Sequence, residues 1–282
     1  MEAVGELGAS LGSATGFLTE TQAQSARSAG KALAKTFEDI TPEQEYYIGR
    51  AVGAVVLSRY RPYDDPVANA YVNLLGQTLA QASDRPETFG GYHFLMLDSD
   101  EVNAFAAPGG LVFVTRGMLA CCAHEDALAA VLAHEIGHVQ LRHGLKAIKA
   151  SRLTGALTVL AAEGAKTFGG EELAQLTQDF QDSVSDVTQT LINSGYSRGA
   201  EADADAAAVA LLQRVGYEPS GLIDMLQAME TRLVPGGSDF GKTHPSPESR
   251  IAAVTKLLGA REPVRPVVAA RQARFEAALR RG

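Results

Sequence analysis

Glu125-Asp126-Ala127-Leu128-Ala129-Ala130-Val131-Leu132-Ala133-His134-Glu135-Ile136-Gly137-His138 decides the architecture, because one helix laid through it carries both a core stripe and a chemical centre. Acidic residues at the start favour a helix N-terminus, and the Ala and Leu that follow favour a helix interior. The composition therefore predicts a helix from about Glu125 to His143. Leu128, Val131, Leu132 and Ile136 recur at helical spacing and form a stripe that must be buried, which makes this helix central to the fold. His134 and His138 are one turn apart and share a face, so both imidazoles can reach a single metal ion. Neutral imidazole suits zinc, and a catalytic zinc takes three protein ligands and leaves a position for water. Glu135, one residue round from the first His, is placed to take a proton from that water. His-Glu-x-x-His on a helix is a metalloprotease signature, and it points to hydrolysis.

The third ligand has to be sought elsewhere. The metzincin spacing requires a Gly and then a His where this chain has Leu141 and Gly144, which excludes that class. His143 lies beyond His138 by about 140° round a continuous helix, so it is expected to cap the helix or face the surface rather than join the metal. A carboxylate from a later helix is the remaining source. Ser197-Arg198-Gly199-Ala200-Glu201-Ala202-Asp203-Ala204-Asp205 opens an Ala-rich helix that should end near Gly216. Glu201 and Asp205 share a face, so one can bind the metal while the other hydrogen-bonds a ligand imidazole and fixes its tautomer. Asp203 points elsewhere, toward solvent.

Working outward, Thr41-Pro42-Glu43-Gln44 reads as a capping box with Pro at the first helical position, opening a helix to about Arg59. The loop Arg61 to Pro66 leads into a second helix ending near Ala82. Tyr92 to Leu97 and Leu111 to Thr115 read as strands, with Asn103-Ala104-Phe105-Ala106 between them and Pro108-Gly109-Gly110 as a turn. Asn103 to Ala106 has the character of an edge strand, to which an extended peptide could add through main-chain hydrogen bonds. After His143 the pattern is helical, broken at Gly169-Gly170, Gly216 and Pro235-Gly236-Gly237. The expected organisation is a loosely packed N-terminal extension over 1–38, one domain over 39–260, and a linker with a short basic helix over 261–282. The class is α+β, mainly helical, with a small sheet beside the motif helix.

Composition excludes several functions. A chain of 282 residues with 46% hydrophobic content can bury a real core. Net charge of −8, with a pI near 5.3, argues against a nucleic-acid surface. No apolar run is long enough to cross a bilayer, and the stretch Leu153 to Ala162 is too short. Cys121 and Cys122 are neighbours, cannot close an ordinary disulfide, and are expected to pack as small apolar groups. The start Met1-Glu2-Ala3-Val4-Gly5-Glu6 lacks the basic residues and apolar block of a signal peptide, which taken literally implies the cytoplasm.

Four ordered motifs together resemble a known family. They are Asn103-Ala104-Phe105-Ala106-x-Pro108-Gly109-Gly110, His134-Glu135-x-x-His138, Arg198-x-x-Glu201-x-x-Ala204-Asp205 and Thr243-His244-Pro245-x-x-x-x-Arg250. The chain from about Thr41 to Gly259 is similar to the gluzincins that include the CAAX prenyl proteases and HtpX, in their soluble BepA/LoiP-like branch. The resemblance implies a zincin-like metalloprotease domain holding one Zn2+ per chain on His134, His138 and Glu201, with Glu135 as general base and acid. It implies that Asp205 orients His134 or His138 and that Arg198 pairs with a site carboxylate. His244 would approach the metal from a loop, either to stabilise the oxyanion or to fill the open position. The implied substrates are unfolded or misassembled proteins, met along Asn103 to Ala106. The implied setting is the periplasm or cell envelope, with the export signal absent from this chain. A chaperone or scaffold with a latent zinc site is the competing expectation, and the intact Glu135 argues against it.

Overall fold

The computed structural model describes residues 40–148, 170–232, 246–259 and 268–279. His244, the 1–38 extension, the Pro235-Gly236-Gly237 break and the linker around Pro263 lie outside the described residues. The first helix, α1 (Pro42–Arg59), starts as its sequence dictates. Thr41 Oγ1 accepts from Gln44 N at 3.2 Å, and Gln44 Oε1 accepts from Thr41 N at 3.0 Å. Asp65 caps α2 (Pro66–Gln81) by accepting from Val67 N and Ala68 N, each at 3.0 Å.

The sheet has three strands, β1 (His93–Leu97), β2 (Ala104–Ala107) and β3 (Leu111–Thr115), in the order β1-β3-β2. β3 runs parallel to β1 and antiparallel to β2, with Phe94 opposite Val112 and Phe105 opposite Phe113. The β2–β3 turn is built on Gly109 and Gly110, whose φ values of 79° and 102° are left-handed and favour glycine. The outer edge of β1 is closed by α2: Asn73 Oδ1 accepts from Phe94 N at 3.1 Å and Asn69 Oδ1 from Met96 N at 2.9 Å.

The motif helix, α3 (Glu125–Gln140), lies against the sheet and is buried from Glu125 to Val139. His124 caps it, with Nδ1 accepting from Ala127 N at 3.2 Å. On its far side packs α5 (Arg198–Val215), which follows α4 (Gly170–Gln189) and a π-helical turn at Thr190–Ser194. The two helices come together backbone to backbone at Gly137, where an added Cβ would stand 3.0 Å from the Ala204 carbonyl oxygen. α6 (Gly221–Arg232) and α7 (Pro247–Leu258) complete this side. Cys121 and Cys122 are buried and free. Among the described residues no helix is long and apolar enough to cross a membrane.

The motif helix stops at Gln140 rather than His143, because Arg142 adopts a left-handed conformation (φ 55°). That conformation is held by tertiary contacts: Arg142 Nη2 donates to Ile40 O at 2.8 Å, and its Nε lies 3.4 Å from Glu45 Oε2. A fresh single turn, His143–Lys146, then begins in a new direction. The last helix, α8 (Ala269–Leu279), is part of the main core rather than an appendage. Its Phe275 is 1% exposed, and Arg271 and Arg274 reach Asp126 and Glu125 at the start of α3.

Candidate metal centre

Helical spacing on α3 and close packing against α5 bring three donor groups to one point. His134 Nε2 stands 3.1 Å from His138 Nε2 and 3.6 Å from Glu201 Oε2, and His138 Nε2 stands 3.4 Å from Glu201 Oε1. Ligands about 2.0–2.1 Å from a tetrahedral zinc are separated by about 3.4 Å, so the spacing fits such an ion. Among the described residues this is the one group of three or more His, Cys, Asp or Glu side chains able to share a metal. All three are buried, at 2%, 1% and 1% exposure.

Protonation agrees with the spacing. His134 Nδ1 lies 2.9 Å from Asp205 Oδ1, so it carries the proton and donates it, which leaves the lone pair of Nε2 facing His138. Arg250 from α7 grips the same carboxylate, with Nε 3.0 Å from Oδ2 and Nη2 2.6 Å from Oδ1. Burial pushes the Asp205 carboxyl up, but Arg250 and His134 outweigh it and hold the group well below the usual carboxylate range. Burial and Arg250 oppose protonation of His134, yet Asp205 and Glu201 raise its pKa to about 9. Burial drives His138 down to about 3.

Glu135, next to His134, is 2% exposed, and its Oε1 has no hydrogen-bond partner among the described residues. Burial, reinforced by Glu201 and opposed by His134 and Arg250, pushes this carboxyl up to about 7. A buried acceptor without a protein donor beside a metal-ligand cluster is suited to a water molecule activated there.

Other residues singled out from the sequence are placed less simply. Asp203 is exposed. Arg198 sits at the first position of α5, on the end that stands in solvent, and none of the ion pairs found among the described residues involves it. The guanidinium beside the site carboxylates is that of Arg250 instead, the last residue of the Thr243-His244-Pro245-x-x-x-x-Arg250 motif. Asn103 is buried; its Oδ1 accepts from Ala104 N at 2.9 Å, while Nδ2 has no partner. β2 is an edge of the sheet but is covered, with all four residues buried between α3 and α1 and with the π-helical turn beside it. His143 was expected at the surface or as a cap and is instead 4% exposed, its Nδ1 lying 2.9 Å from His138 Nδ1. The break at Arg142 turns it back, which a count along a continuous helix misses. Tyr196 was not singled out; it stacks on His138 with centroids 4.3 Å apart and planes at 20°. Its position directly before the Ser197 cap was the only signal.

A His pair and a carboxylate from a neighbouring helix, on a mainly helical α+β frame, form a donor set of the kind that zinc metallopeptidases use. Comparison with known proteins makes that specific: residues 66–258 match peptidase family M48, and the chain belongs to that family. It is 29% identical over 210 residues to the beta-barrel assembly-enhancing protease of Escherichia coli K12, covering 74% of this chain and 41% of that one. It is 32% identical over 162 residues to mitochondrial metalloendopeptidase OMA1 of Schizosaccharomyces pombe, covering 55% and 43%. It is also 28% identical over 160 residues to metalloprotease LoiP of Escherichia coli K12, covering 57% and 60%. The chain therefore spans about two fifths of the length of the beta-barrel assembly-enhancing protease.

Proposed function

We propose that this protein is a zinc endopeptidase that cuts unfolded or misassembled proteins of the cell envelope, with His134, His138 and Glu201 as the zinc ligands. The carrying observation is the convergence of those three donors beside the unpartnered Glu135 Oε1. When bound, zinc supplies a Lewis acid for the scissile carbonyl and for the attacking water. Glu135 takes the proton of that water and returns it to the leaving amine. Asp205 keeps the His134 proton on Nδ1, and Arg250 neutralises Asp205. Main-chain pairing of substrate along Asn103 to Ala106, which requires displacement of the cover over β2, would give sequence-tolerant binding suited to chains that have lost their fold. The envelope setting is supported by likeness to a relative named for β-barrel assembly.

Burial of the donors and of β2 favours a second reading, a chaperone or scaffold whose zinc site stays latent. Digestion of an unfolded protein such as reduced casein separates the two. The wild type should cleave it, and Glu135→Gln should lose about 10²- to 10⁴-fold in rate while keeping its zinc. Equal rates for the two proteins would defeat the peptidase mechanism, and no cleavage by either would favour the latent site.

A further inference from the structure

The Nδ1 side of His134 is fixed by a carboxylate, whereas on the Nδ1 side of His138 stands a third imidazole. His138 Nδ1 and His143 Nδ1 are 2.9 Å apart, with ring planes at 69° and both side chains buried. Two neutral imidazole nitrogens in such contact need one N–H and one lone pair. His138 Nε2 faces His134 Nε2 and Glu201, so its lone pair belongs at the metal point and its proton on Nδ1. His143 must then accept at Nδ1 and carry its own proton on Nε2. We infer that His143 is a positioning residue that fixes the tautomer and ring plane of His138, as Asp205 does for His134, and so sets the zinc affinity of the site. The inference rests on the zinc-ligand reading above.

Three features of the fold bear this out physically. Tyr196 stacks on the face of His138 and lies tilted against His143 at 5.8 Å, so the ligand ring is held across its plane as well as along it. The left-handed turn at Arg142 that swings His143 back is anchored on Ile40 and near Glu45, itself gripped by Arg85 at 2.9 and 2.7 Å. A neutral acceptor also suits the charge balance. Glu135, Glu201 and Asp205 already crowd one buried space with Arg250, and another carboxylate would raise the cost of burial. An imidazole orients the ligand without adding charge.

Two measurements test this. In zinc-loaded protein labelled with 15N-histidine, long-range 1H–15N correlations should place the His138 proton on Nδ1 and the His143 proton on Nε2. In chelator competition, His143→Leu should weaken zinc binding by about 10- to 100-fold, as expected when a ligand loses its orienting partner. His143→Asn, whose Oδ1 can accept near the same place, should recover most of that loss. Wild-type affinity in a folded His143→Leu protein, or a His138 proton on Nε2, would overturn the inference. If the leucine variant does not fold, the wild-type tautomers decide alone. A wild type that binds no zinc would instead defeat the zinc-ligand reading on which the inference stands.

Discussion

Replacing Asp205 by Asn should destabilise the protein as well as loosen its metal, because the change strands a buried charge. Asp205 and Arg250 are both 3% exposed at the side chain and joined at 2.6 and 3.0 Å, so solvent cannot screen what is lost. Breaking a buried pair by removing one partner costs about 3–5 kcal/mol. Glu201 Oε2 remains 4.0 Å from Arg250 Nη1 as a second anion, which places this site at the lower end, about 3 kcal/mol. Thermal unfolding of metal-free protein should then shift down by about 6–12 °C for a domain of this size. Asn keeps an oxygen for His134 Nδ1, so the effect reports the charge rather than a lost imidazole contact. Adding Arg250→Met should recover most of the loss, since removing both charges from a buried pair is close to neutral. A single-variant loss below about 1 kcal/mol, the range of solvent-screened pairs, would refute the reasoning. So would a double variant less stable than Asp205→Asn alone.

Gly137→Ala sets a helix-propensity gain of about 1 kcal/mol against overpacking of about 1–3 kcal/mol, with the new Cβ 3.0 Å from the Ala204 carbonyl. Because the ligands sit on both helices, zinc affinity should fall, and an unchanged chelator titration would count against rigid α3–α5 packing as the frame of the site. Burial alone would push Glu125 up, but hydrogen bonds from Arg274, Tyr71 and Tyr217 together hold its carboxyl below the usual range. Its stabilising contribution is therefore present above about pH 4.3 and lost as pH falls through the lower folded value. Glu125→Gln should flatten the acid limb of the stability profile, and a profile parallel to wild type would contradict this. Arg198→Ala, on an exposed helix start, should change stability by less than about 0.5 kcal/mol and leave cleavage unaltered, as measured by thermal unfolding and a casein assay.

Features written in local sequence were legible. The Thr41–Gln44 capping box, the strand at Leu111–Thr115 and the stop at Gly216 depend on neighbours within a turn or on a left-handed glycine. The shared face of His134 and His138 was also readable from helical spacing, whereas spacing left Glu201 and Asp205 open as the third donor and the family resemblance pointed to Glu201. What escaped depends on contacts between distant parts of the chain. Arg142 is held left-handed by the carbonyl of Ile40, 102 residues away, and without that hold His143 would continue round the helix. Arg250 reaches Asp205 across 45 residues and was overlooked in favour of Arg198, which lies nearer in sequence but points into solvent. α8 looked like an appended basic helix because its composition reveals neither the pocket for Phe275 nor the buried acids awaiting Arg271 and Arg274.

Anomalous diffraction at the zinc absorption edge, on crystals grown with zinc, tests the central claim most directly. One strong peak should lie about 2.0–2.2 Å from His134 Nε2, His138 Nε2 and a Glu201 carboxylate oxygen, and it should vanish in Glu201→Ala. A peak held through an imidazole Nδ1, a peak elsewhere in the molecule, or full retention in Glu201→Ala would contradict the assignment of these three side chains.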